Sequence, residues 1–196
     1  TYGGLQTTDP GLLALKNTVY TSQQYAADAD ENNLTYNLTL AYKPTKRINT
    51  YATFSTAFKP VGVNVAGLPT VSGQPALDLA VIKPENVKHI ELGVKTTPFD
   101  DFILNATFYN TDIRDYQTNV QSPELGVNRG YIANAEQVRV QGAELETSLR
   151  ASNKFSFYGA VTYTDAQYVK FTNAPLPLEE TGNTLNNVQV AFKDIS

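Results

Sequence analysis

Cysteine, methionine and tryptophan are missing from this 196-residue chain, and His89 is its only histidine. The lack of cysteine excludes disulfides, thiolate metal sites and a cysteine nucleophile. A single histidine without cysteine provides neither a metal-binding cluster nor a choice of catalytic triads. Since no other catalytic constellation is present, we expect a protein that is not an enzyme and that holds no metal or other cofactor.

Charge and long apolar runs are also scarce. Charged residues make up 17% of the chain and the formal net charge is -4, whereas soluble domains average about 25% charged residues. A nucleic-acid-binding protein usually has a basic face, so no nucleic-acid partner is expected. No run of about 18 apolar residues occurs, which excludes a transmembrane helix but leaves a membrane barrel open, because barrel strands alternate.

Thr, Asn, Gln, Ser and Tyr take the place of the missing charges, a composition that suits strands. The clearest pattern is alternation with a period of two. Between Asn33 and Lys43, Leu34, Leu38 and Leu40 fall on one face, and the polar residues fall on the other. This pattern predicts a strand with one apolar face, about long enough to cross a bilayer at a tilt.

Five further strands show the same two faces. We predict them over residues 47–59, 87–96, 101–116, 131–150 and 154–170, with a short seventh strand over 187–192 and a loop or lead-in over 1–32. In the fifth strand the apolar positions change from even (Val138, Val140) to odd (Ala143, Leu145). A β-bulge at Gly142 would keep all four on one face, so a bulge is predicted there.

The connections between the strands are alternately short and long. Turns over 43–47, 97–100 and 151–153 alternate with glycine- and proline-containing loops over 60–84, 118–130 and 172–184. An antiparallel up-and-down barrel of an outer membrane has short periplasmic turns and longer outer loops. We therefore predict an all-β fold, a transmembrane β-barrel of which this chain supplies about six or seven strands. A passive porin-like channel and a soluble or surface β-sheet binding module remain open.

Four motifs resemble those of TonB-dependent outer-membrane receptors, in the same order. They lie at 51–60 (YATFSTAFKP), 83–95 (a Lys-Pro-Glu followed by ELGVK), 105–117 (NATFYN with DYQ) and 134–146 (NAE with VQGAELE). Together with the strands between them, they cover about Leu34 to Thr164. The resemblance implies a barrel of about 22 strands with a plug domain in its lumen.

The resemblance also implies a location and a function. We expect the bacterial outer membrane, lipid as one partner, and active transport of a small-molecule nutrient such as a ferric siderophore, energised by the TonB complex through a plug. A ferric siderophore would be a transported ligand and not a cofactor. Because neither a plug nor a TonB-binding box is recognisable in residues 1–196, we interpret the chain as a piece of the barrel wall.

Three groups of residues are assigned on this interpretation. Lipid is expected to meet the apolar face, at Leu34, Leu38, Leu40, Ile90, Leu92, Leu104 and Val161. A lumenal charge network near the periplasmic rim is expected to contain Arg47, Glu91, Lys95, Glu144 and Glu146. Ligand contacts are expected from the long loops and the upper lumen, at Asn64, Gln74, Tyr116, Arg129, Tyr131 and Asn134, where Arg129 would pair with an anionic ligand or with Glu124.

Overall fold

The computed structural model describes residues 8–19, 23–122, 130–172 and 174. Six long strands form one antiparallel sheet: β1 (Asn37–Thr45), β2 (Ile48–Lys59), β7 (Glu85–Thr96), β8 (Phe102–Gln121), β9 (Gly130–Ser152) and β10 (Phe155–Lys170). Each strand pairs with the next one of this series, in the order β1-β2-β7-β8-β9-β10. The predicted all-β, up-and-down architecture is confirmed, and the described sheet is an open section of a barrel wall.

Small elements occupy the connections. Helix α1 (Pro10–Val19) precedes the sheet, and the loop between β2 and β7 contains β3 (Gly62–Val63), β4 (Thr70–Val71), β5 (Gln74–Pro75), a 3-10 helix (Leu77–Leu79) and β6 (Val81–Ile82). β3 pairs with β6, and β4 pairs with β5. The described part of the chain has no helix long and apolar enough to cross a membrane. The predicted strand over 187–192 lies outside the described residues.

Several strand boundaries differ from the prediction. β1 begins at Asn37 and not at 33. The Thr56 N–H still donates to the Tyr36 carbonyl at 2.9 Å, but the Tyr36 N–H donates to the Thr56 hydroxyl at 3.2 Å and not to its carbonyl. β7 begins two residues earlier than predicted, and β8 continues to Gln121. Alternation alone does not mark these ends, since a ladder stops where its backbone partners stop.

The predicted bulge at Gly142 is wrong. The register between β8 and β9 runs without a shift from the Phe102–Leu149 pair to the Arg114–Gln137 pair. Val138 and Val140 consequently share a face with Glu144 and not with Leu145, because side chains alternate strictly along an unbroken strand. The shifts that do occur on β10 are at its two ends, next to Phe155 and Tyr168.

The two faces of the sheet differ in chemistry, as predicted. We call the side that carries the row Leu40, Ala52, Leu92, Phe108, Ala143 and Tyr163 the apolar face. Of the seven residues predicted to meet lipid, six lie on this face, and Leu34 precedes β1 and is exposed. The opposite side, which carries Glu91 and Glu144, is called the polar face.

The apolar face becomes polar toward the long loops on β8, β9 and β10. There it carries a polar belt of Asn110, Asp112, Arg139, Gln141 and Asp165. Arg139 Nε donates to Asp112 Oδ1 at 3.0 Å, and Gln141 Nε2 donates to Asp165 Oδ2 at 3.2 Å. This polar belt explains why the predicted bulge is wrong. The switch of apolar positions from even to odd along β9 marks the edge of the apolar surface on the long-loop side.

Buried apolar side chains are concentrated at the long-loop end. They are Leu68, Ala76, Ala80, Ile82, Val120, Ala135 and Val138, from the loop over 60–84 and from β8 and β9. Most side chains along the middle of the sheet are partly or fully exposed on both faces. The described core therefore holds the loop against the wall, while the wall itself is held by its backbone ladders.

Candidate functional site: the polar face and the long loops

A recess of about 210 Å³ lies on the polar face toward the short turns. It is lined by Tyr51, Glu91, Lys95, Asn105, Thr107, Glu144 and Glu146, from β2, β7, β8 and β9. Four of the five residues predicted to form a lumenal charge network thus come together. Their spacing follows from register, since Glu91 and Lys95 are four residues apart on β7, and Asn105 pairs directly with Glu146.

Tyr51 organises this recess. Its hydroxyl donates to Glu91 Oε1 at 2.7 Å, and Lys95 Nζ lies 5.5 Å from the centre of its ring, within range of a cation–π contact. The ring lies over Gly93, its direct partner across β2 and β7, where an added Cβ would overlap the ring atoms. Gly93 therefore provides the notch that lets Tyr51 lie flat between the two charged residues.

A second tyrosine is placed in the same way. Tyr109 on β8 lies over its partner Gly142 on β9, and its hydroxyl is 2.8 Å from Thr164 Oγ1. A Cβ added at Gly142 would overlap both this ring and the backbone carbonyl oxygen of Tyr163 on β10, which explains a glycine in mid-strand without any bulge. His89 stacks on Tyr109 at 6.3 Å and lies 2.8 Å from Thr111 Oγ1 and 3.5 Å from Glu91 Oε2.

Carboxylates exceed cations in the recess. Glu91, Glu144 and Glu146 face a single ammonium group, Lys95. In the described part of the chain no ion pair reaches Glu144 or Glu146, and Asn105 Nδ2 approaches Glu146 Oε2 only at 3.5 Å. The recess is therefore a negative surface open toward whatever fills the space beside the polar face.

Arg47 does not reach this recess, contrary to the prediction. Its guanidinium pairs with Asp100 Oδ1 at 2.7 Å and lies 3.4 Å from the Pro98 carbonyl, in the next short turn. Arg47 lies in the turn immediately before β2, so its long side chain extends along the turn edge. It links two short turns, and Lys95 is the one cation among the described residues that line the recess.

The loop over 60–84 is fastened by side-chain amides that we call amide clips: Gln23, Asn64 and Asn134. Each clip bonds both the N–H and the C=O of one distant residue, as a strand partner would. Gln23 clips Leu68 (2.7 and 2.8 Å), Asn64 clips Ile132 (2.8 and 2.9 Å) and Asn134 clips Lys83 (3.0 and 2.9 Å). The clips join the lead-in, the loop and β9 into one unit.

Two of these clips were predicted to contact ligand. Asn64 is only 5% exposed, and its amide nitrogen also donates to the Leu79 carbonyl at 2.8 Å. Asn134 donates in addition to the Asp115 carbonyl at 2.7 Å. Because the polar atoms of both amides are already bonded to backbone, the structure places them as supports of the loop.

The other predicted ligand contacts are dispersed. Gln74 is exposed next to the Ser72–Gly73 turn, where both residues have positive φ, as a two-residue hairpin turn requires. Tyr116 packs edge-on against Tyr168, which stacks on Phe171 at 5.6 Å. Tyr131 is half-buried and pairs with Val120. Arg129 lies outside the described residues.

A larger cavity of about 580 Å³ lies between the lead-in and the loop. Residues 23–27 line one side and residues 63–67 the other. The Tyr25 hydroxyl donates to the Asn64 carbonyl at its edge. No charged side chain lines this cavity, and in the described chain no three His, Asp or Glu side chains are placed to share a metal ion.

Sequence reasoning missed Tyr51 and the Gln23 clip. Gly93 in mid-strand was a usable signal, because glycine inside a strand often marks a close approach of another group. No local signal identifies Gln23, whose partner Leu68 is 45 residues away.

Comparison with known proteins agrees with this architecture. The family profile described as "TonB dependent receptor-like, beta-barrel" matches residues 9–190. The chain is 27% identical to the probable TonB-dependent siderophore receptor PiuA of Acinetobacter baumannii, over 74% of this chain and 19% of PiuA. It is 25% identical to the ferrichrome outer membrane transporter/phage receptor of Escherichia coli K12, over 73% of this chain and 17% of that protein.

Solved structures share the fold. The copper transporter OprC superposes with a TM-score of 0.56 at 15% identity, covering 68% of this chain and 20% of OprC. The siderophore receptor PirA from Pseudomonas aeruginosa gives a TM-score of 0.52 at 17% identity, covering 68% of this chain and 25% of PirA. The chain spans about a fifth of the length of the curated relatives that it matches. It belongs to the TonB-dependent receptor β-barrel family of the Gram-negative outer membrane.

Proposed function

We propose that this chain is part of the wall of an outer-membrane receptor that takes up a scarce nutrient, such as a ferric siderophore, with energy delivered by TonB. The observation that carries the proposal is the two-faced sheet. Its apolar face ends in a polar belt toward the long loops, and its polar face holds a network of charged and hydroxyl side chains. A wall between lipid and an aqueous lumen requires these two surfaces.

The family supports a receptor over an enzyme, and the printed names of two curated relatives support an iron-chelate cargo. Transport that depends on TonB requires a plug that responds to TonB from inside the barrel. The negative recess on the polar face would border the lumen in which such a plug moves. The clipped loop at the opposite end would form part of the outer mouth, where ligand arrives.

Uptake of labelled iron tests the proposal in the bacterium that carries the full-length gene. Four strains are compared under iron limitation: the parent, a deletion of the receptor gene, the complemented deletion, and a deletion of tonB. We expect uptake of at least one ferric siderophore from a panel to be lost in both deletions and restored by complementation. Uptake of a small solute that needs the receptor gene but not tonB would indicate a passive channel and contradict the proposal.

A further inference from the structure

The polar face above the recess carries almost no charge. One row across the sheet consists of Ala57, Val87, Ile113, Val138 and Tyr168. The next row toward the short turns consists of Ser55, His89, Thr111, Val140 and Ala166. His89 is the one titratable side chain in these ten positions apart from Tyr168, and it faces Thr111 and Glu91.

Cations at the long-loop end are fewer than carboxylates. In the described residues of 23–36, 57–86, 114–122, 130–137 and 168–172 there are three lysines, one arginine and seven carboxylates. The arginine is Arg114, whose even position on β8 places it on the apolar side of the sheet. The lysines are Lys59, Lys83 and Lys170, and the carboxylates are Asp28, Asp30, Glu31, Asp78, Glu85, Asp115 and Glu136. Lys59 lies 3.4 Å from Glu85, and Lys170 lies 3.9 Å from Glu136.

The recess below continues the same trend, with three carboxylates and one lysine. A ligand that moves along this wall from the long loops toward the short turns thus passes from a surface with surplus carboxylates, across a neutral strip, to a second carboxylate-rich surface. A polyanion would lose hydration on this path without gaining the charged donors that replace water. Like charges facing it would add repulsion and slow its approach.

We infer that the ligand that passes this wall carries no net negative charge: it is a neutral or cationic chelate. This inference rests on the proposed function. Among ferric siderophores, the inference favours hydroxamate complexes over catecholate complexes because of their net charge. Three hydroxamates cancel the charge of Fe³⁺, whereas three catecholates leave a strongly anionic complex. The aromatic cluster of Tyr116, Tyr168 and Phe171 offers such a neutral complex apolar contact area at the long-loop end.

Binding to the purified full-length receptor tests the inference with three ferric probes: a neutral tris-hydroxamate, a cationic tris-hydroxamate and a tris-catecholate. Quenching of intrinsic fluorescence is titrated at several salt concentrations. We expect one or both hydroxamate complexes to bind at least about tenfold more tightly than the tris-catecholate, because electrostatic mismatch suppresses wrong partners. Tighter binding of the tris-catecholate, weakened by salt, would overturn the inference while leaving the proposed function intact. If no ferric complex bound or entered the cell, the proposed function would fail as well.

A charge placed on the neutral strip gives a second test. Ser55 on β2 pairs with His89 and carries no charge, so Ser55→Arg adds one cation to the strip, and Ser55→Gln adds a side chain without charge. We expect Ser55→Arg to raise affinity for the tris-catecholate severalfold, in a salt-sensitive manner, and Ser55→Gln to leave it unchanged. Equal behaviour of the two variants would count against the strip as a determinant of ligand charge.

Discussion

Tyr51 and Tyr109 show how single residues shape the polar face. Each ring lies over a glycine directly opposite on the next strand, Gly93 and Gly142, and each hydroxyl then reaches a side chain farther along the sheet. A flat ring covers backbone that would otherwise be open and leaves the neighbouring carboxylates accessible. The four residues therefore form two matched pairs, and a substitution of one member should change the position of the other.

Gly93→Ala tests the first pair. The new Cβ would overlap the Tyr51 ring, so the ring must leave its position over Gly93, between Glu91 and Lys95. Overpacking of this kind costs about 1–3 kcal/mol. We expect the free energy of unfolding of the full-length receptor in detergent to fall. Unfolding in a urea titration is monitored by gel mobility or by far-UV circular dichroism.

The chain contains a matched control. Gly159→Ala on β10 places a Cβ no closer than 3.4 Å to Phe157 and Thr147, an ordinary contact, so stability should not fall. The double variant Tyr51→Ala with Gly93→Ala removes the overlapping ring and should recover part of the loss. If Gly93→Ala were as stable as Gly159→Ala, the proposed notch would be wrong.

At the scale of elements, the loop over 60–84 is ordered by amide clips and a small core. Asn64 is the central clip because it bonds Ile132 on β9 and Leu79 in the loop, and it is almost fully buried. Removing a partner of buried backbone groups costs about 1–3 kcal/mol for each group left unsatisfied. That cost should be local, since the long ladders of the sheet do not pass through Asn64.

Asn64→Ala is therefore expected to loosen the loop and leave the sheet intact. Hydrogen exchange measured by mass spectrometry should increase in peptides from 62–82 and remain unchanged in β8. Gln74→Ala is the control, because Gln74 is exposed on the hairpin of β4 and β5. Unchanged exchange in Asn64→Ala would show that the small core alone orders the loop.

The same elements show what sequence can and cannot predict. Alternation predicted the six strands and the faces of Leu40, Leu92 and Val161, because period-two patterning is local and every residue of a strand reports it. The bulge at Gly142 was wrong because we assumed an apolar face along all of β9. Arg139 and Gln141 instead belong to the polar belt, where the wall no longer needs to be apolar.

The site was predicted less completely, for a physical reason. Glu91, Lys95, Glu144 and Glu146 were brought together by register, which alternation constrains. The clip between Asn64 and Ile132 joins residues 68 positions apart and depends on where the loop comes to rest. Nothing in the local sequence encodes that position, so the supporting role of Asn64 was not predicted, and its contact with ligand stays a prediction.

For the whole molecule, the apolar surface crosses the sheet obliquely. The apolar positions that lead into and through β1, from Leu34 to Tyr42, are centred on Leu38. The row of paired residues that contains Leu38 continues through Phe54, Ile90, Asn110 and Gln141 to Asp165, within the polar belt. On β10 the surface runs from Phe157 to Tyr163, about five residues from that row. With about 3.3 Å per residue and about 4.8 Å per strand, the strands tilt by about 35° against the membrane normal. Transmembrane barrels have tilts in this range.

Because the strands are tilted, residues of one row of paired residues lie at different depths in the membrane. The free-energy cost of a charge on the apolar face should therefore depend on its depth in the membrane and not on the row that it occupies. Leu38→Arg and Gln141→Arg place the same side chain in the same row and on the same face. Arg at position 38 should cost about 2–4 kcal/mol because it lies near the bilayer centre, and Arg at position 141 about 0–1 kcal/mol because it lies near the interface. The measurement is urea unfolding of the full-length receptor in liposomes, with Leu38→Ala and Gln141→Ala to subtract the loss of the native side chains. Equal costs for the two arginines would mean that the row runs parallel to the membrane, and the oblique arrangement of the wall would have to be abandoned.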